Sequence, residues 1–117
     1  MTPVTTSENS GNWVRMRIYL GESDRYHGKP AYMYLIELFR KEGLRGATVM
    51  RGIAGFGSKS VIHFPSILRL SEDLPIVIEV IDEETKINKV LDKVKEVVKE
   101  GLITLEKVDE VIIRRKE

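Results

Sequence analysis

The sequence predicts an α+β fold of the ferredoxin-like class, βαββαβ, with a four-stranded antiparallel sheet and two helices on one face, and three observations carry that prediction. From Trp13 to Leu20 polar and apolar side chains alternate with a period of two. Pro75 to Ile81 is an almost unbroken β-branched run interrupted only by Glu79. Two segments, about 30–42 and 82–100, repeat apolar residues at three and four residue spacing and end on Gly43 and Gly101.

Taken in order, the first strand places Val14, Met16, Ile18 and Leu20 on one face and Trp13, Arg15, Arg17 and Tyr19 on the other. Gly21 to Lys29 reads as a polar loop, and Pro30 suits the first turn of a helix, where its missing N–H costs nothing. Tyr32, Leu35, Ile36 and Phe39 form the stripe of that helix, with Gly43 as its C-terminal cap. A second strand is expected from about Gly46 to Ala54. The sixteen residues from Ser58 to Asp73 show little periodicity and exceed a tight hairpin, so they read as an extended excursion. Pro75 to Ile81 is the central strand, and Asp82-Glu83-Glu84 opens the second helix with negative charge at its positive dipole end. Ile87, Val90, Leu91, Val94, Val97 and Val98 form the apolar stripe of that helix, and its outer lysines and glutamates form a solvated face. Ile103 to Leu105, a break near Lys107 to Glu110, and Val111 to Ile113 close the chain as a fourth strand with a basic tail.

At 117 residues the chain is one domain, 13–117, preceded by a disordered tail over 1–12, and it is long enough to bury about two thirds of its unfolded surface. The absence of cysteine excludes disulfides, thiolate metal sites and cysteine nucleophiles, and with no apolar run of membrane length it points to the cytoplasm and to no membrane span. Nineteen Lys and Arg against eighteen Asp and Glu give a net charge of +1, which argues against nucleic acid as the main partner. Glutamine is missing too, while Lys, Arg and Glu abound, the balance associated with proteins of thermophiles. Neither a nucleophile with its base nor a pair of carboxylates stands out, so no enzyme activity is expected. Glu79 in its apolar strand is the carboxylate best placed to be perturbed, with Arg51 as its candidate partner. One sheet face is left without helices. Its apolar residues call for cover, most economically by another copy of the chain.

Five glycines lie between Gly43 and Lys59, and Gly55-Phe56-Gly57 delivers flexible backbone with free N–H groups to the sheet edge, a setting suited to anions. This segment resembles the second strand and loop entrance of the PII nitrogen-signalling proteins. Leu74-Pro75 with Ile76 to Ile81 resembles the PII strand after its long loop, and Val108-Asp109-Glu110 with Val111 to Glu117 resembles the PII C-terminal strand. With the loop after the first strand, the chain most resembles the uncharacterised PII-like signalling proteins, over about residues 13–116.

The resemblance implies a homotrimer, sheets packed inward, with an adenine nucleotide (AMP, ADP or ATP) held in the clefts between subunits and an unidentified protein target. Thr48, Gly55, Phe56 and Gly57 fall on the strand and loop entrance that line the nucleotide site in that family, Glu79 and Ile81 on strand positions that touch the nucleotide, and Arg114 and Arg115 near its phosphate-binding arginines. Relative to the family, one extra residue separates Thr48 from Gly55, and the arginine spacing is shifted. EGLITLEKV over 100–108 replaces the glycine-rich phosphate loop of PII. That departure favours AMP or ADP over ATP and leaves the polar loop, Gly28 and Lys29 in particular, to supply substitute contacts. The excursion 58–73 has no tyrosine, so nucleotidylylation is not expected there. The CutA divalent-ion-tolerance proteins share this fold, and the alternative reading is a metal-binding trimer using Glu22, Asp24 and His27.

Overall fold

The computed structural model describes residues 4–8, 12–55, 74–109 and 111–115. Its elements in chain order are β1 (Val4–Glu8), β2 (Trp13–Gly21), β3 (Arg25–Tyr26), β4 (Lys29–Pro30), α1 (Ala31–Lys41), β5 (Thr48–Arg51), β6 (Pro75–Glu83), α2 (Glu84–Val97), β7 (Leu102–Val108) and β8 (Val111–Arg115). Four of them build one antiparallel sheet in the order β5-β6-β2-β7, which is the ferredoxin-like arrangement expected from the sequence.

The alternation in β2 and β6 decides which side the helices cover. Val14, Met16, Ile18 and Leu20 of β2 and Ile76, Ile78 and Val80 of β6 are buried. They meet Ala31, Leu35 and Phe39 of α1 and Ile87, Val90, Val94 and Val97 of α2 in one core. Because every second residue of a strand points the other way, Trp13, Arg15, Arg17 and Tyr19 together with Val77, Glu79 and Ile81 lie on the open face, half-buried by one another.

Helix α1 ends as its glycine predicts. Gly43 has φ +78°, the Leu44 N–H donates to the Phe39 carbonyl at 3.0 Å and the Gly43 N–H to the Arg40 carbonyl at 3.2 Å, which together make a Schellman cap. Pro30 differs from expectation. With ψ 130° it is extended and closes β4, so it precedes the helix instead of occupying its first turn. The polar loop before it contains a hairpin. His27 (φ +50°) and Gly28 (φ +79°) form a two-residue turn in which both central residues take positive φ, the requirement of a type I′ hairpin.

Asp82 is the one charged side chain buried among the described residues, and it joins two elements. Its Oδ2 accepts the Arg45 N–H at 2.9 Å and its Oδ1 the Glu83 N–H at 2.7 Å. The first bond fixes the α1–β5 connection. The second holds the turn from β6 into α2. The Arg45 guanidinium then lies over the Trp13 ring, 4.2 Å from its centroid, tying the same connection to the start of β2.

The fourth strand of the sheet is β7, which contains the expected Ile103 to Leu105 segment and runs on to Val108, whereas Val111 to Ile113, expected to belong to the same strand, does not join this sheet. β8 instead pairs with β1 in a separate two-stranded ribbon, Val4 opposite Arg115 and Glu8 opposite Val111. Val4–Glu8 therefore form a strand inside the stretch read as a tail. Their partner lies about a hundred residues away, so no local pattern announces the pairing.

Gly101 closes the approach to β7 for a steric reason. A Cβ there would stand 2.4 Å from the Tyr19 carbonyl oxygen and 2.9 Å from Val98 Cγ1. The carbonyl belongs to β2, which cannot retreat without breaking its ladders to β6 and β7. Gly101→Ala is expected to lower stability by about 1–3 kcal/mol, read as a shift in urea midpoint at unchanged slope.

Candidate functional site

Strand register brings three of the expected site residues together. Thr48 of β5 lies directly opposite Glu79 of β6, and Ile81 follows two residues along on the same open face. Glu79 is in turn opposite Arg17 of β2, and Arg17 opposite Thr104 of β7, so Thr48, Glu79, Arg17 and Thr104 form one polar row across the whole sheet. An apolar row, Met50, Val77, Tyr19 and Leu102, flanks it on the side toward the β5 exit.

Within the polar row Glu79 is committed. Arg17 Nε donates to Glu79 Oε2 at 2.8 Å, and this bond holds the Arg17 guanidinium charged above the usual arginine range, against the opposing effect of burial. The partner of Glu79 is thus Arg17. Arg51, the candidate from sequence, pairs with Glu22 across the start of β6. The reason lies in the register: Arg51 stands opposite Ile76, on the helix-covered side, whereas Glu79 points to the open one. Arg15 and Glu106, directly opposite each other, make a second ion pair on the open face beside Ile81. Sequence reasoning passed over Arg15 and Arg17, although their alternation with Met16 and Ile18 already placed them on the Glu79 face.

The chain leaves β5 pressed against β6. Gly52 donates its N–H to the Pro75 carbonyl at 2.7 Å, and a Cβ on Gly52 would meet Pro75 Cγ at 2.6 Å. Gly55 lies farther out, its Cβ position 3.4 Å from the same ring atom. Glycine at 52 thus has a packing role. On the other flank the Glu22 N–H donates to the Leu74 carbonyl at 2.8 Å, so both neighbours of β6 are tied to its first residues. Phe56 and Gly57, and the excursion 58–73, lie outside the described residues.

The remaining expected residues are not gathered at this row. Gly28 and Lys29 sit on the β3–β4 hairpin, which packs on α1. Lys29 Nζ is 2.7 Å from Glu37 Oε2, and the Tyr26 ring meets Tyr34 edge-on with centroids 4.7 Å apart. They belong to the helix layer, on the side of the sheet away from Thr48 and Glu79. Arg114 and Arg115 lie in β8, opposite Thr5 and Val4, in the separate ribbon.

Metal chemistry finds no support in the same atoms. Among the described residues no group of three His, Cys, Asp or Glu is placed to hold an ion. Glu22 is paired with Arg51, Asp24 Oδ2 accepts the Gly21 N–H at 3.0 Å, and His27 stacks on Tyr26 with centroids 4.0 Å apart. Among the described residues no helix is long and apolar enough to cross a membrane.

Comparison with known proteins agrees with the architecture. Residues 13–110 match the model of the DUF190 family, described as Uncharacterized ACR. A UPF0166 protein of Aquifex aeolicus is 43% identical over 98 residues, covering 84% of this chain and 92% of its own. A UPF0166 protein of Methanocaldococcus jannaschii is 44% identical over 91 residues, 77% of this chain and 83% of its own. Among solved structures, CPII, a nitrogen regulatory PII-like protein from Thiomonas intermedia K12, shares the fold. Its form bound to ADP, AMP and bicarbonate superposes with TM-score 0.65 at 14% identity over 91% of each chain. Its form bound to ADP and bicarbonate gives 0.63 at 15% identity, again over 91% of each. The family match stops short of β8 and begins after β1, so the ribbon that carries Arg114 and Arg115 lies outside it.

Proposed function

The chain belongs to the DUF190 family, and from that footing we propose that it is a PII-like regulatory protein, not an enzyme, which binds an adenine nucleotide at clefts between the subunits of a homotrimer. The observation that carries the proposal is the register that sets Thr48 against Glu79 and beside Ile81 on the open face, at a sheet edge adjoining the glycine-rich turn. CPII, which shares the fold, was solved with ADP and AMP, and this supports an adenine nucleotide as the ligand. These residues lie on a sheet face that no helix covers among the described residues, which agrees with a site between copies.

AMP or ADP is favoured over ATP, since β7 follows Gly101 directly where PII proteins carry a phosphate-gripping loop. Occupancy is communicated to a protein target through the 58–73 segment, as ordering of a loop is an established switching device. Glu79, bonded to Arg17, shapes the floor of the site instead of meeting phosphate, because its negative carboxylate would repel an anion.

Calorimetry with AMP, ADP, ATP and adenosine tests the reading. Binding of AMP or ADP tighter than ATP is the expected result, and no heat from any of the four, with the protein folded and oligomeric, removes it. Arg114→Ala is expected to weaken ADP by about 1–3 kcal/mol and leave adenosine unchanged, the effect of a lost charge-assisted bond to phosphate. Equal ADP affinity in both proteins takes Arg114 out of the site.

A further inference from the structure

The two arginines at the centre of the open face spend their donors differently. Arg15 gives a terminal nitrogen to Glu106, directly across from it on β7. Arg17 gives its inner Nε to Glu79 on β6, at 2.8 Å, and among the described residues no second carboxylate meets its terminal nitrogens. A guanidinium carries five N–H donors in one plane, so a pair made through Nε fixes that plane and leaves most of the fork unspent on the carboxylate. The Arg17 side chain is 37% exposed although β2 is a central strand, so a ligand can reach it. Its bond to Glu79 holds it charged, and Tyr19, two residues along the same face, adds to that effect.

On the side away from Glu79, Arg17 faces a hydroxyl. Thr104 of β7 is its direct partner in the register, exposed and on the same face. Facing residues on neighbouring strands hold their Cβ atoms about 5 Å apart, so a guanidinium and a hydroxyl in this relation can both bond one oxygen-bearing group set above the gap. Both supply donors. The charged groups around the gap are Glu79, Arg15 and Glu106, and each carboxylate is taken by an arginine, while Tyr19 and Leu102 form the apolar side. The set is neutral before a ligand arrives, and what attracts is the aim of the unspent donors instead of a broad positive field.

We infer that Arg17 and Thr104 form an oxyanion subsite on the open face, one that takes the phosphate of a nucleoside monophosphate. The inference rests on the nucleotide reading under Proposed function and adds where the phosphate lies. Ile81, on β6 and opposite Arg15, is about 10 Å from the gap along the diagonal of the sheet, a separation that the ribose of AMP spans between base and phosphate. A longer phosphate chain finds no further cation here, because Arg15 is committed to Glu106. AMP is therefore expected ahead of ADP at this subsite.

Calorimetry with AMP and adenosine on three proteins tests the subsite. They are the wild type, Arg17→Lys, which keeps a charge beside Glu79 but loses the fork, and Thr104→Val, which removes only a hydroxyl at an exposed strand position where valine is favoured. AMP binding is expected to fall about tenfold in Arg17→Lys and about threefold in Thr104→Val, with adenosine unchanged in both. An AMP affinity unchanged in either variant overturns the subsite, and so does an equal loss for AMP and adenosine, which marks a role in the base or in the fold. If circular dichroism shows Arg17→Lys unfolded, Thr104→Val decides alone. A wild-type protein that binds adenosine as tightly as AMP keeps the nucleotide reading and overturns the subsite. One that binds neither removes the nucleotide reading, and inorganic phosphate then reads the subsite by itself. A saturable shift of the Arg17 Nε–H resonance, lost in Thr104→Val, shows it holding a free oxyanion, and no shift overturns it.

Discussion

Phe39→Ala is expected to cost about 3–5 kcal/mol of folding stability, the range for removing a buried phenylalanine with incomplete collapse of the cavity. Phe39 is 1% exposed, the largest of the fully buried side chains, and it stands in the last turns of α1 where that helix meets the sheet. Its backbone carbonyl also accepts the Leu44 N–H of the Schellman cap, a bond that alanine retains. The loss is therefore one of packing. It is expected as a fall in urea midpoint with the slope preserved, and a loss under about 1 kcal/mol would mean that the helix is not seated on the sheet as described. Phe39→Leu, which refills part of the volume, is expected to recover more than half of the deficit.

Asp82→Ala is expected to cost about 2–3 kcal/mol through a different mechanism, the exposure of two backbone donors to a dry interior without an acceptor. The Arg45 and Glu83 N–H groups both end on this carboxylate, so its removal loosens the connection into β5 as well as the entry into α2. Hydrogen exchange separates this from general destabilisation. Under native conditions the amides of Arg45 and Glu83 should lose protection before those of β2, and uniform loss across the sheet would contradict the local role. Because Thr48 begins the strand that Arg45 leads into, the same variant is expected to weaken adenine nucleotide binding while the Arg17–Glu79 pair stays intact.

These two residues also show what a sequence can reveal. The core was legible wherever one face of an element is buried by its own chain, since burial enforces a period: two in β2 and β6, three to four in α1 and α2. Phe39 stood in such a stripe. Gly43 was legible as a cap because positive φ selects glycine. Asp82 read as the charged opening of a helix, and its buried bond to Arg45 depends on a fold that brings residue 45 next to residue 82.

The fourth strand was extended too far for a comparable reason. Val111-Ile112-Ile113 has more strand propensity than Leu102–Val108, whose exposed edge setting admits Thr104, Glu106 and Lys107. Propensity scores the segment alone, whereas the ladder of β7 on β2 runs from Trp13 opposite Val108 to Tyr19 opposite Leu102. At the candidate site, Thr48, Glu79 and Ile81 were nameable one by one. Their neighbourhood was not, because a one-residue change of register exchanges the faces, and with them the choice between Arg17 and Arg51 as the partner of Glu79.

The account depends on a sheet whose second face carries no helix among the described residues, and on copies of the chain covering it. Sedimentation equilibrium of the wild-type protein, in the absence of any nucleotide, addresses that claim most directly. A single species at three times the 13.4 kDa chain mass is the predicted result, and a species at 13.4 kDa across the working concentration range would contradict it.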